Sequence, residues 1–348
     1  MALIKVKERG RETISLGRRN LIINGAMQVA QRSTAAVQAG NGTYDTVDRM
    51  MTWSVAGGGT FTGSQSTGHQ LATGHDTAYK VDVTGADTSI ASGDYYEFLQ
   101  RIEAKNLQHL CWGTAAAKKL QVSFWVRATK TGVQSLFISK QGTGTDYRNV
   151  INYTINASDT WEHKTIEVPA LTASTIANDA STYVQVGFIL AMGSSFQNGT
   201  AGTWTTNSLY STSNTVNNMD STSNDFYVTG LQVEVGDTAT DFEHRSFGEE
   251  LSLCQRYFYK FINTGLSDHY NFYSPYSPAQ VTAGLPNSSA ICPMTFPVTM
   301  RAAPTMATTL SGGTLNRQTS TPFGYVAQIG TTSTGTHYIT QYLANAEL

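Results

Sequence analysis

The stretch KLQVSFWVR at residues 119–127 decides the fold class. Its even-numbered positions from 120 to 126 are all apolar, whereas its odd-numbered positions are polar or, at Trp125, amphipathic. Successive side chains of a β-strand point to opposite faces of the sheet, so an alternation of period two predicts a strand with one buried and one exposed face. The same pattern places Trp125 on the exposed face.

Similar short runs recur between clusters of Gly, Ser, Thr and Asn over residues 44–245. They are YKVDV (79–83), YYEFLQRI (95–102), SLFIS (135–139), VINYTI (150–155), WEHKTIEV (161–168), YVQVGFIL (183–190) and DFYVTGLQVEV (225–235). Charged residues make up only 14% of the chain, against about 25% in ordinary soluble domains, which disfavours long surface helices. Many short strands with turns between them predict an all-β protein with a jelly-roll β-sandwich over residues 20–245.

One segment breaks this pattern and predicts a linking helix over residues 246–265. Ser246 and Glu249 fit a capping box, and an apolar stripe follows at helical spacing: Leu251, Cys254, Phe258 and Phe261. The stripe is expected to pack either on the chain's own sandwich or along a seam around an oligomer axis. All prolines except Pro169 lie beyond this segment, which predicts a smaller β-rich C-terminal module over residues 266–348.

The charge distribution and the apolar runs limit the possible partners. The formal net charge is −2, so the chain has no overall electrostatic attraction for nucleic acid. No apolar run approaches the roughly 20 residues of a membrane-spanning helix, and the N-terminus has no apolar core of a signal peptide.

Residues 1–19 are polar and of mixed charge and are interpreted as an N-terminal docking arm for another protein. The three cysteines form no disulfide framework and fit a reducing cytoplasm.

Motifs of catalysis are absent from the sequence, which predicts that the chain is not an enzyme. Neither a nucleophile elbow, a zinc-protease helix nor a phosphate-binding loop occurs. The neighbouring carboxylates Asp94 and Glu97, and likewise Asp241 and Glu243, are interpreted as surface or turn residues. Sequence spacing alone cannot place two carboxyl groups across a cleft.

No cofactor is predicted. A structural calcium ion, of the kind that jelly rolls can hold, would draw on Asp48, Asp94 and Glu234, although no motif supports such a site. His69 and His75 lie six residues apart in a Gly-rich loop and are interpreted as loop residues in preference to metal ligands.

Aromatic residues are the more informative group, at 10% of the chain. Tyr and Trp offer a flat apolar face and a polar edge, which suits wet binding surfaces. The residues selected as glycan or partner contacts are Trp125, Trp204, Tyr270, Tyr273 and Tyr276. Rim packing or a subunit contact remains an alternative for each of them. The other three tryptophans, Trp53, Trp112 and Trp161, are interpreted as core residues.

Several separated blocks of the chain occur in the order that is typical of one protein family. They are NLIINGAMQVAQR (20–32), YDTVDR (44–49), YYEFLQRIE (95–103), LQVSFWVRA (120–128), FYVTGLQVEVGDTATDFEHRS (226–246), ELSLCQRYF (250–258), FPVTMRAAPTM (296–306) and NAEL (345–348). Together they resemble the tail-fibre and virion structural proteins of tailed bacteriophages, which carry a jelly roll similar to galactose-binding-like carbohydrate-binding modules. The resemblance covers roughly residues 20–310.

The resemblance implies a non-enzymatic component of the virion, located at the tail after synthesis in the host cytoplasm. It implies a homotrimer that attaches to other virion proteins through residues 1–19 and contacts glycans of the host surface as a tail fibre or receptor-binding protein. A head-decoration, head-fibre or tail-adaptor protein without a receptor role is the alternative. An enzyme that cleaves surface polysaccharide is a third and less favoured hypothesis. The shared blocks transfer no catalytic or sugar-contacting residue to this chain.

Overall fold

The fold is known from a computed structural model that describes residues 18–55, 57–262, 281–282, 289–310, 314–330, 336–337 and 339–348. The strands of the N-terminal part are β1 (Val37–Gln38), β2 (Asn41–Thr43), β3 (Met51–Val55), β4 (Thr60–Ser66), β5 (Ala78–Gly85), β6 (Tyr95–Glu103), β7 (Leu120–Ala128), β8 (Gly132–Gln141), β9 (Tyr147–Ile155), β10 (Glu162–Val168), β11 (Tyr183–Met192), β12 (Trp204–Thr205) and β13 (Asp225–Val235). A short helix α1 (Gln70–Thr73) and two 3-10 turns, Ala104–Asn106 and Gln108–Leu110, interrupt them.

These strands form two antiparallel sheets that face each other. The six-stranded sheet has the order β1-β4-β5-β13-β7-β10, and the seven-stranded sheet has the order β12-β9-β8-β11-β6-β3-β2. The predicted all-β class and the β-sandwich are therefore confirmed. The alternation in β7 is confirmed as well, because Leu120, Val122, Phe124 and Val126 are all buried in the core between the sheets.

Four phenylalanines occupy the middle of this core and lock the sheets together. Phe98 and Phe188 stack with ring centroids 5.0 Å apart, and Phe124 meets Phe188 edge to face at 5.1 Å. Phe226 closes the group at 5.9 Å from Phe98. Since aromatic pairs in such geometries add to the stabilisation gained from burying their area, this cluster fixes the distance between the sheets.

The predicted helix exists, but it is shorter than the sequence suggested. Helix α2 spans Phe247–Gln255, and the Ser246 hydroxyl accepts a hydrogen bond from the Glu249 amide at 3.3 Å, as the capping box predicts. The prediction of helix through residue 265 is wrong: Phe258–Ile262 form strand β14, which pairs with the end of the chain. The buried Glu250 of α2 accepts from the Asn24 amide at 2.5 Å, so the helix packs on its own sandwich.

The C-terminal module is built from small antiparallel sheets around a separate core. Its further strands are β15 (Val281–Thr282), β16 (Ser289–Thr295), β17 (Thr305–Leu310), β18 (Thr314–Thr321), β19 (Gly324–Gly330), β20 (Thr336–His337) and β21 (Ile339–Asn345). The sheets have the orders β14-β21-β17, β15-β20 and β16-β19-β18. Tyr325, Ile329 and Tyr342 are among the buried residues of this core. No helix in the described part of the chain is long and apolar enough to span a membrane.

A buried ionic contact joins the module to the sandwich. The Arg49 side chain is 1% exposed, forms an ion pair with Glu347 and lies 3.6 Å from the ring centre of Tyr257. The amide of Ala346 donates to the Tyr257 carbonyl at 2.8 Å, so the segment after β21 is also tied to the link between α2 and β14. Separating the partners of a buried ion pair would leave each charge buried and unpaired, which is strongly unfavourable. This contact therefore holds the module against the sandwich.

Candidate ligand-binding site

The outer face of the seven-stranded sheet carries the side chains that the core does not use. In β6, Tyr96 and Phe98 lie in the core, so Tyr95 and Glu97 point to the opposite face. The neighbouring strands β8 and β11 present Gln141 and Gln185 on that same outer face, since Gln185 is opposite Ser139 in the register.

Four aromatic side chains surround a cavity of about 170 Å³ on this face, which we call the Glu97 pocket. Trp53 and Tyr95 lie with ring centroids 6.4 Å apart, and Phe196 meets Tyr95 edge to face at 5.4 Å. Tyr210 continues the row at 6.4 Å from Phe196. Trp53 and Tyr95 come from adjacent strands, whereas Phe196 comes from the loop after β11 and Tyr210 from the loop after β12, so the pocket has a strand side and a loop side.

Polar groups line the same pocket. Glu97 is 6% exposed, and among the described residues its carboxyl group has no hydrogen-bond partner. Burial raises the pKa of Glu97 to about 8, and the charge of Arg101 opposes that rise, so the carboxyl is neutral at pH 7. Burying a carboxyl is costly unless it is hydrogen-bonded, so a ligand in the pocket that bonded Glu97 would offset this cost.

Two glutamines line the same pocket and are partly held in place. The Gln185 side-chain oxygen accepts from the Ser139 hydroxyl at 2.8 Å, and the Gln141 side-chain oxygen accepts from the Tyr183 hydroxyl at 3.0 Å. These bonds fix each amide and leave the Gln185 NH₂ group as a donor facing the cavity. The pocket therefore offers fixed donors and acceptors between aromatic walls, an arrangement that fits a ligand with both hydroxyl groups and an apolar face.

A second, more open cavity of about 470 Å³ adjoins the first, because Trp53 lines both. Arg101 lies over Trp53 at 5.5 Å and over Tyr183 at 4.7 Å, measured from the guanidinium carbon to the ring centres. Its Nη1 donates to the backbone oxygen of Leu348 at 2.7 Å. The end of the C-terminal module thus forms one wall of the outer cavity, and a ligand longer than one unit can extend from one cavity to the other past Trp53.

The predicted contact residues are only partly near this site. Trp125 is half-buried on the outer face of the other sheet, as its alternation predicted, and lines a separate pocket there. Trp204 is half-buried as well: its indole N–H donates to the Pro169 carbonyl at 2.8 Å, and its ring packs edge to face on Trp112 at 5.2 Å. That packing arises because the loop returns to pair with β9. Tyr270, Tyr273 and Tyr276 lie outside the described residues, so their assignment stays a prediction.

The three tryptophans assigned to the core behave differently from one another. Trp112 is 3% exposed, which confirms its assignment. Trp53 is half-buried and lines both cavities, so its assignment to the core is wrong. Trp161 is also half-buried and lies over Tyr227 and His69 on the outer face of the six-stranded sheet.

Glu97 is the functional residue that the sequence reasoning missed, because it was interpreted as a surface or turn residue. The available signal was its position in YYEFLQRIE, where a carboxylate shares a strand face with Tyr95, Leu99 and Arg101. Charged residues are seldom buried without a partner, so a carboxylate amid apolar residues of one strand face deserved selection. Its strand neighbour Asp94 does fit the interpretation, since it accepts a bond from the Gly57 amide at 3.4 Å in a turn.

The residues suggested for metal binding are kept apart by the fold. Asp48 accepts from the Gln31 amide at 2.9 Å, and the Glu234 carboxylate accepts from the Thr240 amide and hydroxyl. His69 Nε2 lies 2.9 Å from the Ser66 hydroxyl oxygen, whereas His75 lines the pocket that also contains Trp125. Within the described residues no three His, Cys, Asp or Glu side chains are grouped so that they could hold a metal ion.

A scan against protein-family models and a search of curated protein sequences each find no match for this chain. Solved structures with partial similarity include the enzymatically active domain of tailspike protein 4 from bacteriophage CBA120, with 12% identity over 63% of this chain and a TM-score of 0.32. This chain spans only 22% of that tailspike chain. A family 11 carbohydrate-binding module of a Clostridium thermocellum cellulase has 14% identity over 62% of this chain and 99% of its own, with a TM-score of 0.30. A xylan-binding domain from Paenibacillus barcinonensis has 8% identity over 60% and 99%, with a TM-score of 0.27. At these TM-scores the similarities carry no conclusion about function.

Proposed function

We propose that this chain binds carbohydrate through the Glu97 pocket, and that it does so as a structural component of a bacteriophage virion. The observation that supports binding is the buried carboxyl of Glu97, which has no partner among the described residues and lies between aromatic walls. A sugar ring supplies what this pocket lacks: hydroxyl groups for the carboxyl and the amides, and a flat C–H face for Trp53 or Tyr95.

The expected affinity of one pocket is modest. Each neutral hydrogen bond contributes about 0.5–1.5 kcal/mol net, and a cavity of about 170 Å³ holds little more than one sugar unit. Millimolar binding corresponds to about 4 kcal/mol, which a few such bonds and one stacked ring can provide. Several copies around a symmetry axis would raise the apparent affinity through effective concentration, and a homotrimeric tail fibre would use the pocket in this way.

The chemistry of the pocket favours binding over cleavage. Glycoside hydrolysis ordinarily uses two carboxyl groups about 5–9.5 Å apart on either side of the scissile bond. Glu97 is the one carboxyl among the described residues that line the pocket. Glu347 lines the neighbouring cavity, but its carboxylate is engaged by Arg49 and Arg32. A polysaccharide-cleaving enzyme is therefore the less favoured hypothesis.

The virion role rests on the ordered sequence blocks over residues 20–310, which resemble tail-fibre proteins. In that setting the glycan belongs to the host surface, and residues 1–19 attach the chain to other virion proteins. Antibody labelling of intact particles tests the location. Label at the tail supports a receptor-binding fibre, whereas label over the capsid would assign the chain to head decoration.

A glycan array followed by calorimetric titration of the best ligand tests the binding function. Trp53→Ala should weaken binding at least tenfold, because it removes a wall shared by both cavities. Trp161→Ala is the matched control, since it also removes a half-buried tryptophan but lies outside the pocket. Equal losses in both variants, or an array without signal at millimolar ligand, would show that this pocket is not a carbohydrate site.

A further inference from the structure

The central strand of the six-stranded sheet contains a bulge that opens its outer face. Strand β13 pairs with β7 in regular register up to Thr229, which is opposite Trp125, and resumes at Gln232, which is opposite Ser123. Gly230 and Leu231 together lie opposite the single residue Phe124, so β13 has one extra residue at this point. Bulges of this kind re-aim side chains and are common beside functional sites.

Gly230 is required at the bulge for two reasons. Its φ of +60° lies in the left-handed region that disfavours residues with a side chain. A Cβ at this position would also lie 2.6 Å from His75 Nε2 and 3.2 Å from Trp125 Cδ1. The glycine therefore keeps open the space that these two rings border.

That space is a cavity of about 340 Å³, which we call the Trp125 pocket. Ser123 and Trp125 of β7 form its floor, and His163 of β10 lies beside Trp125 with ring centroids 5.1 Å apart. The loop after α1 contributes His75, and the segment at residues 240–244 contributes the opposite wall with His244. Elements distant in sequence thus converge on one surface depression.

Two largely buried side chains turn polar atoms without a hydrogen-bond partner toward this pocket. His75 is 5% exposed and Ser123 is 4% exposed, and within the described ranges neither the imidazole nor the hydroxyl forms a hydrogen bond. The His75 ring instead contacts Phe242 edge to face at 4.6 Å and His244 at 5.4 Å. Because neither group is engaged within the described residues, the imidazole and the hydroxyl are both available to bond a ligand in this pocket.

The charges around the pocket indicate an uncharged ligand. Its described lining contains no Lys or Arg, and its carboxylate is that of Asp241. Burial, together with the neighbouring His244 and His163, lowers the pKa of His75 to about 4, so this imidazole is neutral at pH 7 and both donates and accepts a hydrogen bond. A neutral imidazole and a hydroxyl beside the flat face of Trp125 match the adjacent hydroxyl groups of a sugar ring.

We propose that the Trp125 pocket is a second carbohydrate site, which takes a neutral sugar unit on the face of the sandwich opposite to the Glu97 pocket. The two sites share no lining residue, so each stands or fails independently of the other. The bulge at Gly230 is the feature that creates the second site, since an unbroken β13 would fill it.

Imidazole resonances report on this pocket directly. The full chain contains 7 histidines, so ¹H–¹³C spectra of histidine-labelled protein can be assigned by single His→Gln variants. The probes are the methyl glycosides of glucose, galactose, mannose and N-acetylglucosamine, each at about 50 mM, which exceeds a millimolar dissociation constant. We expect at least one probe to shift the resonances of His75, His163 and His244 together.

Variants separate this site from the first one. Trp125→Ala should lower the affinity measured from these shifts at least tenfold. Ser123→Ala, a smaller change that disturbs the fold less, should lower it about threefold. Trp53→Ala should leave the shifts and the affinity unchanged. The proposal is overturned if no probe shifts the three resonances, if the shifts are lost in Trp53→Ala, or if they keep the same affinity in both Trp125→Ala and Ser123→Ala.

Discussion

Glu97→Gln should stabilise the protein at neutral pH. Burial raises the pKa of the carboxyl from 4.5 to about 8, and Arg101 opposes the rise, so folding at pH 7 requires Glu97 to take up a proton. One pKa unit corresponds to about 1.4 kcal/mol, so the cost is about 3 kcal/mol at pH 7 and about 5 kcal/mol above pH 8. Glutamine is nearly isosteric and uncharged, and the substitution should recover most of this amount.

The sign of the pH dependence follows from the direction of the shift. The folded-state pKa of Glu97 lies above its unfolded value, so its contribution is fully present below pH 4.5 and is lost as the pH rises to about 8. The other titratable groups on the pocket wall are Tyr95 and Tyr210, whose pKa values are raised mainly by burial, so they stay protonated over this range.

Urea denaturation of the parent protein and of Glu97→Gln between about pH 5 and pH 9 measures the effect. The difference between their free energies of unfolding at each pH isolates the contribution of Glu97. The variant's advantage in free energy of unfolding should increase with pH and level off above pH 8. Parallel curves would refute the reasoning, because they would mean that Glu97 is already ionised in the folded protein at pH 7. Ligand affinity provides a second readout: above pH 8 the parent loses a hydrogen-bond donor to the sugar, whereas the variant should bind equally at both ends of the range.

The remaining predictions concern the framework around the sites. Phe188→Ala removes a fully buried ring and should cost about 3–5 kcal/mol by calorimetry, whereas Phe323→Ala, at a 69% exposed position, should cost less than about 0.5 kcal/mol. Ser246→Ala removes the N-cap of α2 and should cost about 1 kcal/mol in urea titrations, which Ser246→Asp should restore; a neutral result for alanine would argue against the cap. Arg49→Met leaves Glu347 buried and unpaired and should cost about 3–5 kcal/mol, and adding Glu347→Gln should recover part of that loss unless the pair is immaterial.

The sequence was sufficient wherever one local period decided the structure. The alternation in β7 correctly assigned its core face and placed Trp125 outside. The start of α2 was equally predictable, because the Ser246 cap is a local signal. The end of α2 was not, since Phe258 and Phe261 fit helical spacing, whereas in β14 they point to opposite faces of the strand. Pairing with β21, about eighty residues later, decides in favour of the strand.

The binding sites depend on contacts that no local pattern contains. The Glu97 pocket draws its walls from β3, β6 and the loop after β11, so the burial of Glu97 follows from the sheet order and from the position of that loop. For the same reason Trp53, which was assigned to the core, is half-buried and lines the pocket. The opening of the Trp125 pocket depends on a register shift at Gly230, and a single glycine inside a strand pattern gives only a weak indication of a bulge.

The ion pair between Arg49 and Glu347 has a consequence for the evolution of this chain. A segment can be moved between proteins most readily where it has its own core and few contacts cross its boundary. Here a sandwich transplanted without residues 257–348 would retain Arg49 without its carboxylate and would lose the wall that Asn345 and Leu348 give to the outer cavity. The sandwich and its C-terminal module therefore have to be transferred together. Under the proposed function, substitutions at Trp53, Glu97 and Arg101 would change the specificity without separating the two parts.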